Sequence, residues 1–129
     1  MKKLIASLLL LAVTLSAQLF RVSSWATLTD GATVTWAIAS VPAANAKVTL
    51  GGNRTLNITN PVTGGSYVLV VIQDGTGSRT LTLGTGCTWK IGGGGSGTIT
   101  PSTSANAVDI LAFTYDGTNC YGNFAKNFN

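Results

Sequence analysis

The sequence predicts an all-β protein, an antiparallel β-sandwich or jelly-roll-like domain that follows an apolar N-terminal segment. Three observations carry that expectation. Beyond the first twenty or so residues no stretch sustains a hydrophobic period near 3.6, whereas alternation with a period of two recurs along the chain. Only 9% of the 129 residues are charged while 19 are threonine, a residue suited to a pleated, half-exposed surface. Asn, Asp and Gly punctuate the chain at short intervals, which sets short strands between tight turns.

The chain opens on a segment unlike the rest. Lys2 and Lys3 precede an apolar run over residues 4–15, and Ser16-Ala17-Gln18 follow. Charge, apolar stretch and small residues in that order make a secretory-signal pattern, with cleavage after Ala17. One alternative is an uncleaved anchor, for which residues 4–20 just reach the lower limit of about 17 apolar residues that span a bilayer. Another is an apolar arm that assembles with copies of itself. Residues 1–17 are therefore read as a signal-peptide-like or anchor segment. Residues 18–129 are read as a single β-sandwich domain, long enough to bury a core.

Residues 21–29 form a lead-in arm carrying Trp25, closed by an Asp30-Gly31 turn. Over residues 32–38, Val34, Trp36 and Ile38 share one face and Thr33, Thr35 and Ala37 the other, a strand buried on one side. Residues 40–46 form a loop. Residues 47–50 and 54–59 then flank Gly51-Gly52-Asn53 as a hairpin, with Val48, Leu50, Leu56 and Ile58 inward.

Asn60-Pro61 and Gly64-Gly65 break the chain before its central strand. Residues 67–72 are all apolar and rich in β-branched types, which predicts a strand buried on both faces with Val68, Val70 and Ile72 in the core. Asp74-Gly75-Thr76-Gly77-Ser78 supplies two glycines free to take positive φ, predicting a hairpin to a half-buried strand with Leu81 and Leu83 inward. Short strands over residues 88–91 and 98–100 flank the linker-like run Gly92-Gly93-Gly94-Gly95-Ser96-Gly97. A phosphate-cradling loop there would need a helix opening behind it and basic or hydroxyl ligands, and neither is present. Residues 107–115, with Ile110 and Phe113 inward, meet residues 120–124 across the turn Asp116-Gly117-Thr118-Asn119.

The composition argues against catalysis. The chain has no His and no Glu, so acid–base work would fall to Asp30, Asp74, Asp109 and Asp116. Three of these precede a glycine at a turn, where a short side chain that hydrogen-bonds its own backbone explains them. A Ser or Cys nucleophile has no imidazole to activate it. Two cysteines without histidine cannot build a Cys/His metal centre, and no cofactor is expected. Without Lys2 and Lys3 the net charge is 6 − 4 = +2, with the basic residues scattered and no stripe for nucleic acid.

Trp25 and Trp89 lie outside the firmest strands and, with Phe124 and Phe128, are the candidates for contact with another subunit or a ligand such as a host-surface glycan. Arg54 and Arg79, each beside a Thr-Leu strand, are expected to bond turn carbonyls or bridge a subunit contact. Cys87 and Cys120 can form a disulfide or remain two buried thiols. Asp30, Asp74, Gly75, Gly77, Asp116 and Gly117 are structural turn residues.

Three runs carry a resemblance: residues 46–56, residues 70–81 with Gln73-Asp74-Gly75-Thr76-Gly77-Ser78-Arg79-Thr80-Leu81 as the most specific part, and residues 108–122. Together they resemble a β-sandwich domain of phage virion surface and appendage proteins, of the tail fibre, head fibre, spike or decoration type. The resemblance implies a non-enzymatic structural protein on the virion surface. It would act with other virion proteins and with copies of itself as a homotrimer, and could take part in host attachment. The alternative is a secreted or cell-surface bacterial protein, a filament subunit or a carbohydrate-binding module.

Overall fold

Among the described residues ten strands alternate between an inward and an outward face, most plainly where Thr alternates with large apolar residues, as in Thr33–Ala37 and Leu81–Leu83. The computed structural model describes residues 25–38, 45–95 and 97–128, so the signal-like segment over residues 1–17 and residues 40–44 of the loop expected over 40–46 lie outside the described residues, while Asn45 and Ala46 of that loop are already strand. The strands are β1 (Trp25–Thr27), β2 (Thr33–Ala37), β3 (Asn45–Leu50), β4 (Arg54–Thr59) and β5 (Ser66–Gln73), followed by β6 (Leu81–Leu83), β7 (Thr88–Ile91), β8 (Thr98–Ile99), β9 (Val108–Tyr115) and β10 (Asn119–Ala125). They form two sheets, in the orders β1-β3-β5-β9-β10-β7 and β2-β4-β6-β8. The expected all-β sandwich is the architecture of the chain.

Strand direction departs from the expectation. From β1 to β8 each successive strand crosses to the other sheet, so neighbours within a sheet run the same way: β1, β3 and β5 in one, β2, β4 and β6 in the other. Among the described strands, antiparallel pairing joins β5 with β9, β9 with β10, and β6 with β8. The expected hairpins at residues 51–53 and 74–78 are therefore arches between sheets. The reason is occupancy: β5 is hydrogen-bonded by β3 on one side and β9 on the other, leaving no edge for β6. Among the described residues the Asp116 turn is the one that joins two successive strands of the same sheet as a hairpin, β9 and β10.

The interior holds Val34, Trp36, Val48, Leu50, Leu56, Ile58, Leu81 and Phe113 as expected. Val68, Val70, Ile72 and Ile110 are corrections. In β5 the buried set is Tyr67, Leu69, Val71 and Gln73, and in β9 it is Asp109, Leu111 and Phe113, leaving the expected residues half-buried on the opposite face. An unbroken apolar run has no period to set its parity, and a shift of one residue exchanges the two faces. Polar partners decide it. Gln73 turns inward because its side chain donates to the Arg79 carbonyl at 3.0 Å and accepts from the Arg79 N–H at 2.9 Å. Asp109 turns inward to accept from the Ser102 N–H and hydroxyl, at 2.6 and 2.7 Å, and from the Asn127 N–H at 3.0 Å.

Four aromatic rings knit the two sheets together. Trp36 meets Tyr67 and Phe113 edge-on with centroids 6.0 and 5.9 Å apart, and Trp89 meets Phe113 at 5.0 Å. Such edge-to-face pairs add about 0.5–1.5 kcal/mol each beyond the burial of their area.

Candidate functional site

The polar residues singled out in the sequence serve the arches. At the first, Asp30 receives a two-pronged contact from Arg54, Nε at 2.8 Å and Nη2 at 2.7 Å. At the second, Asp74 Oδ1 accepts the N–H groups of Thr76 and Gly77, while Oδ2 accepts Arg79 Nη2 at 2.7 Å and Nε at 3.1 Å. The expectation for both arginines is bonds to turn carbonyls or a bridge across a subunit contact; within the chain both clamp an aspartate carboxylate in place of a carbonyl, the geometry a planar guanidinium favours. Gly77 takes φ 75°, and a Cβ there would fall on the Thr103 carbonyl. Gly75 has no positive φ; Ser78, at φ 60°, takes the second left-handed position in its place.

These contacts depress the carboxylates. The Arg79 guanidinium and the Gly77 N–H hold Asp74 down at about 2, and the Asn119 N–H and side chain hold Asp116 at about 2. Arg54 likewise lowers Asp30. Asp109 is wholly buried against Ser102 and Asn127. Every aspartate is thus engaged by the fold. Among the described residues no cluster of three or more Asp or Cys could hold a metal ion.

The cysteines are joined: Cys87, just before β7, bonds Cys120 at the start of β10 with S–S 2.00 Å. The bridge staples the edge strand β7 to its parallel neighbour. Trp89 needs correction as a contact residue, because it is 5% exposed and its indole donates to the Gly84 carbonyl. Inward parity follows from its pairing with the buried Cys120. Phe124 is half-buried against the core. Trp25 on edge strand β1 and Phe128 beyond β10 are about half exposed, 50% and 49%.

The two outer faces differ in chemistry. That of the smaller sheet carries Thr33, Thr35, Thr55, Asn57, Thr82 and Thr98, a polar coat. That of the larger sheet is aliphatic at its centre, with Val68, Val70 and Ile72 of β5 opposite Ala112, Ile110 and Val108 of β9. Toward β7 this face opens into a shallow groove of about 640 Å³, lined by Tyr121, Lys90, Asn123 and the Ser66 and Thr114 hydroxyls. Tyr121 counts among the aromatics of the sequence but is not singled out there as a contact, since its outward parity is legible only once Cys120 is known to point inward.

Comparison with known families finds that residues 39–120 match the family model described as "Putative phage tail fibre C-terminal domain". That stretch is well over half of the chain. The protein belongs to the phage tail fibre C-terminal domain family. No curated protein and no solved structure matches it.

For this tail fibre domain the match runs from before β3 to Cys120 and takes in the second arch, the disulfide and the buried Asp109. The Gln73 to Arg79 element, the most distinctive of the sequence, thereby acquires a physical role: it locks the chain into a crossing between sheets. Trp25, Tyr121 and Asn123 fall outside the matched residues. As a tail fibre domain the protein is a phage structural component, associated with other virion proteins.

Proposed function

We propose that the protein is a non-enzymatic subunit displayed on the surface of a phage particle as a fibre, spike or decoration, that it works as a homotrimer, and that it contributes to host attachment through a surface glycan. The observation that carries this is the family match over residues 39–120, on a chain whose four aspartates are all committed to its own fold. Association is supported by composition. At 9% charged residues the chain lies far below the roughly 25–35% suited to the surface of a soluble monomer, and an aliphatic patch covers one sheet face. Trp25, on the β1 edge of that same face, and Phe128 are the aromatic contacts that suit an interface core. Threefold closure rests on the resemblance to phage appendage proteins.

Immunogold labelling of purified particles tests the location. Label on the particle surface is the expected result, and particles free of the protein by labelling and mass spectrometry would overturn it. Light scattering on the purified protein should give three times the monomer mass, and a stable monomer at micromolar concentration would remove the trimer. The disulfide favours a second reading, because such bonds persist in oxidising compartments. In that reading the protein is a secreted or cell-surface bacterial filament subunit or carbohydrate-binding module. A gene neighbourhood of secretion or polysaccharide-use functions, without capsid, portal or terminase genes, would select it.

A further inference from the structure

The groove at the β7 end of the large sheet combines features that the fold does not need. Tyr121 is 54% exposed there, in contrast to Tyr67, which is buried. It sits in register with Lys90 on β7 and with Thr114 on β9, so ring, ammonium and hydroxyl lie in one row across three strands. Ser66 extends that row, its hydroxyl 3.1 Å from that of Thr114. In the next row Asn123 stands opposite Ala112, which pairs with Val68 to form an apolar floor.

Charge accounting leaves Lys47, Lys90 and Lys126 without an acidic partner among the described residues, and of these three Lys90 is the one that lines the groove. The chain has four acidic residues and no Glu. Asp30 and Asp74 are held by Arg54 and Arg79, Asp109 is buried, and Asp116 faces the amides of its own turn, with the Tyr121 hydroxyl beside it. Among the described residues Lys90 forms no ion pair, although it lines a concave surface. Asp116 lies in the hairpin turn, where its carboxylate accepts from Thr118 and Asn119.

An exposed aromatic face suits the C–H face of a sugar ring, an amide and paired hydroxyls suit its hydroxyl groups, and an uncompensated ammonium suits an anionic substituent. Nucleic acid would call for several phosphate contacts along a basic track, whereas this groove offers one cation. We propose that the Tyr121–Lys90 groove binds an anionic pyranose unit of a polysaccharide, with Tyr121 stacking on the ring, Lys90 pairing with its carboxylate or phosphate, and Asn123 bonding ring hydroxyls. This deepens the host-attachment reading and rests on it for its biological sense.

The test uses the purified full chain on an array of neutral, carboxylate-bearing and phosphate-bearing glycans, followed by calorimetric titration of the strongest binder. Anionic members are expected to be retained and neutral ones not, with the carboxylate and phosphate arms identifying the anion. Lys90→Gln should weaken the anionic glycan by about tenfold or more, the scale of one lost charged contact. Tyr121→Ala should abolish binding, Tyr121→Phe should retain it, and Thr35→Ala should change it by less than about twofold, since Thr35 lies on the outer face of the other sheet. Unchanged near-ultraviolet dichroism in each variant shows that folding is intact. The proposal is overturned if no glycan binds, if neutral glycans bind equally well, or if binding ignores Tyr121 and Lys90. Particle labelling is an independent readout, so absence from virions with glycan binding intact would strike the virion reading alone.

Discussion

Leu69→Ala and Val70→Ala, made at adjacent positions of β5, together test the parity on which both the core and the outer face depend. Leu69 has no exposed surface and pairs with Ala46 of β3 and Leu111 of β9, at the middle of a strand hydrogen-bonded on both sides. Such a site cannot collapse around a deletion, so the lost transfer energy and the cavity add, and Leu69→Ala should cost about 3–5 kcal/mol. Val70 lies half-buried on the outer face between Lys47 and Ile110. Losing two half-exposed methyl groups there should cost about 0.5–1.5 kcal/mol. Urea unfolding followed by tryptophan fluorescence reads the difference. With a slope of about 1.5 kcal/mol per M, the midpoint should fall by about 2–3 M for Leu69→Ala and by under about 1 M for Val70→Ala. Two protein concentrations keep association out of the comparison. Equal shifts, or a larger one for Val70→Ala, would mean that β5 is turned the other way and that the outer face described above is the core.

Three further outcomes are expected. Reducing the Cys87–Cys120 bridge, which spans 33 residues, should lower stability by about 4 kcal/mol from released chain entropy, and an unchanged denaturation midpoint under reductant would contradict its structural role. Asp109→Asn puts an amide N–H₂ among the donors of Ser102 and Asn127, costing about 2–3 kcal/mol. Hydrogen exchange at Asn127 and Phe128 should accelerate with it, and unaltered protection there would refute the hold of Asp109 on the Asn127 main chain. Acid should destabilise in one window: Asp30, Asp74 and Asp116 titrate below the ordinary value of 3.8 when folded, Asp74 and Asp116 at about 2. The unfolded chain therefore takes up protons first, and stability that is complete above about pH 4 is lost as pH falls toward about 2. With no histidine in the chain, a thermal midpoint that already drops between about pH 7 and pH 5 would contradict this account.

Local pattern was enough for the strands themselves. Alternation in Val34-Thr35-Trp36 and Leu56-Asn57-Ile58 set both their existence and their buried side, because each residue in them has only one face it can present to the core. The turns at Asp74 and Asp116 were likewise legible, since a carboxylate that accepts backbone N–H groups two and three residues onward can do so locally, whereas Asp30 depends on Arg54 from β4. The family resemblance lay in the Gln73 to Arg79 element, a run of contiguous residues that the family match includes.

What the chain order could not reveal is which strands become neighbours. A turn of five residues serves a hairpin or an arch equally well, and the choice at residues 74–78 fell to β3 and β9, which occupy both edges of β5 from about twenty and forty residues away. The parity of residues 67–72 was settled in the same way, by Gln73 finding the main chain of Arg79 and Asp109 finding Ser102 beneath the sheet. The groove depends on three strands brought into register, so Tyr121 and Lys90, thirty-one positions apart in sequence, meet only after pairing. Sequence by itself determined what each short segment does with its own side chains. Tertiary structure decided the rest, because strand hydrogen bonds are identical at every residue and only burial and polar satisfaction at a distance can tell one pairing from another.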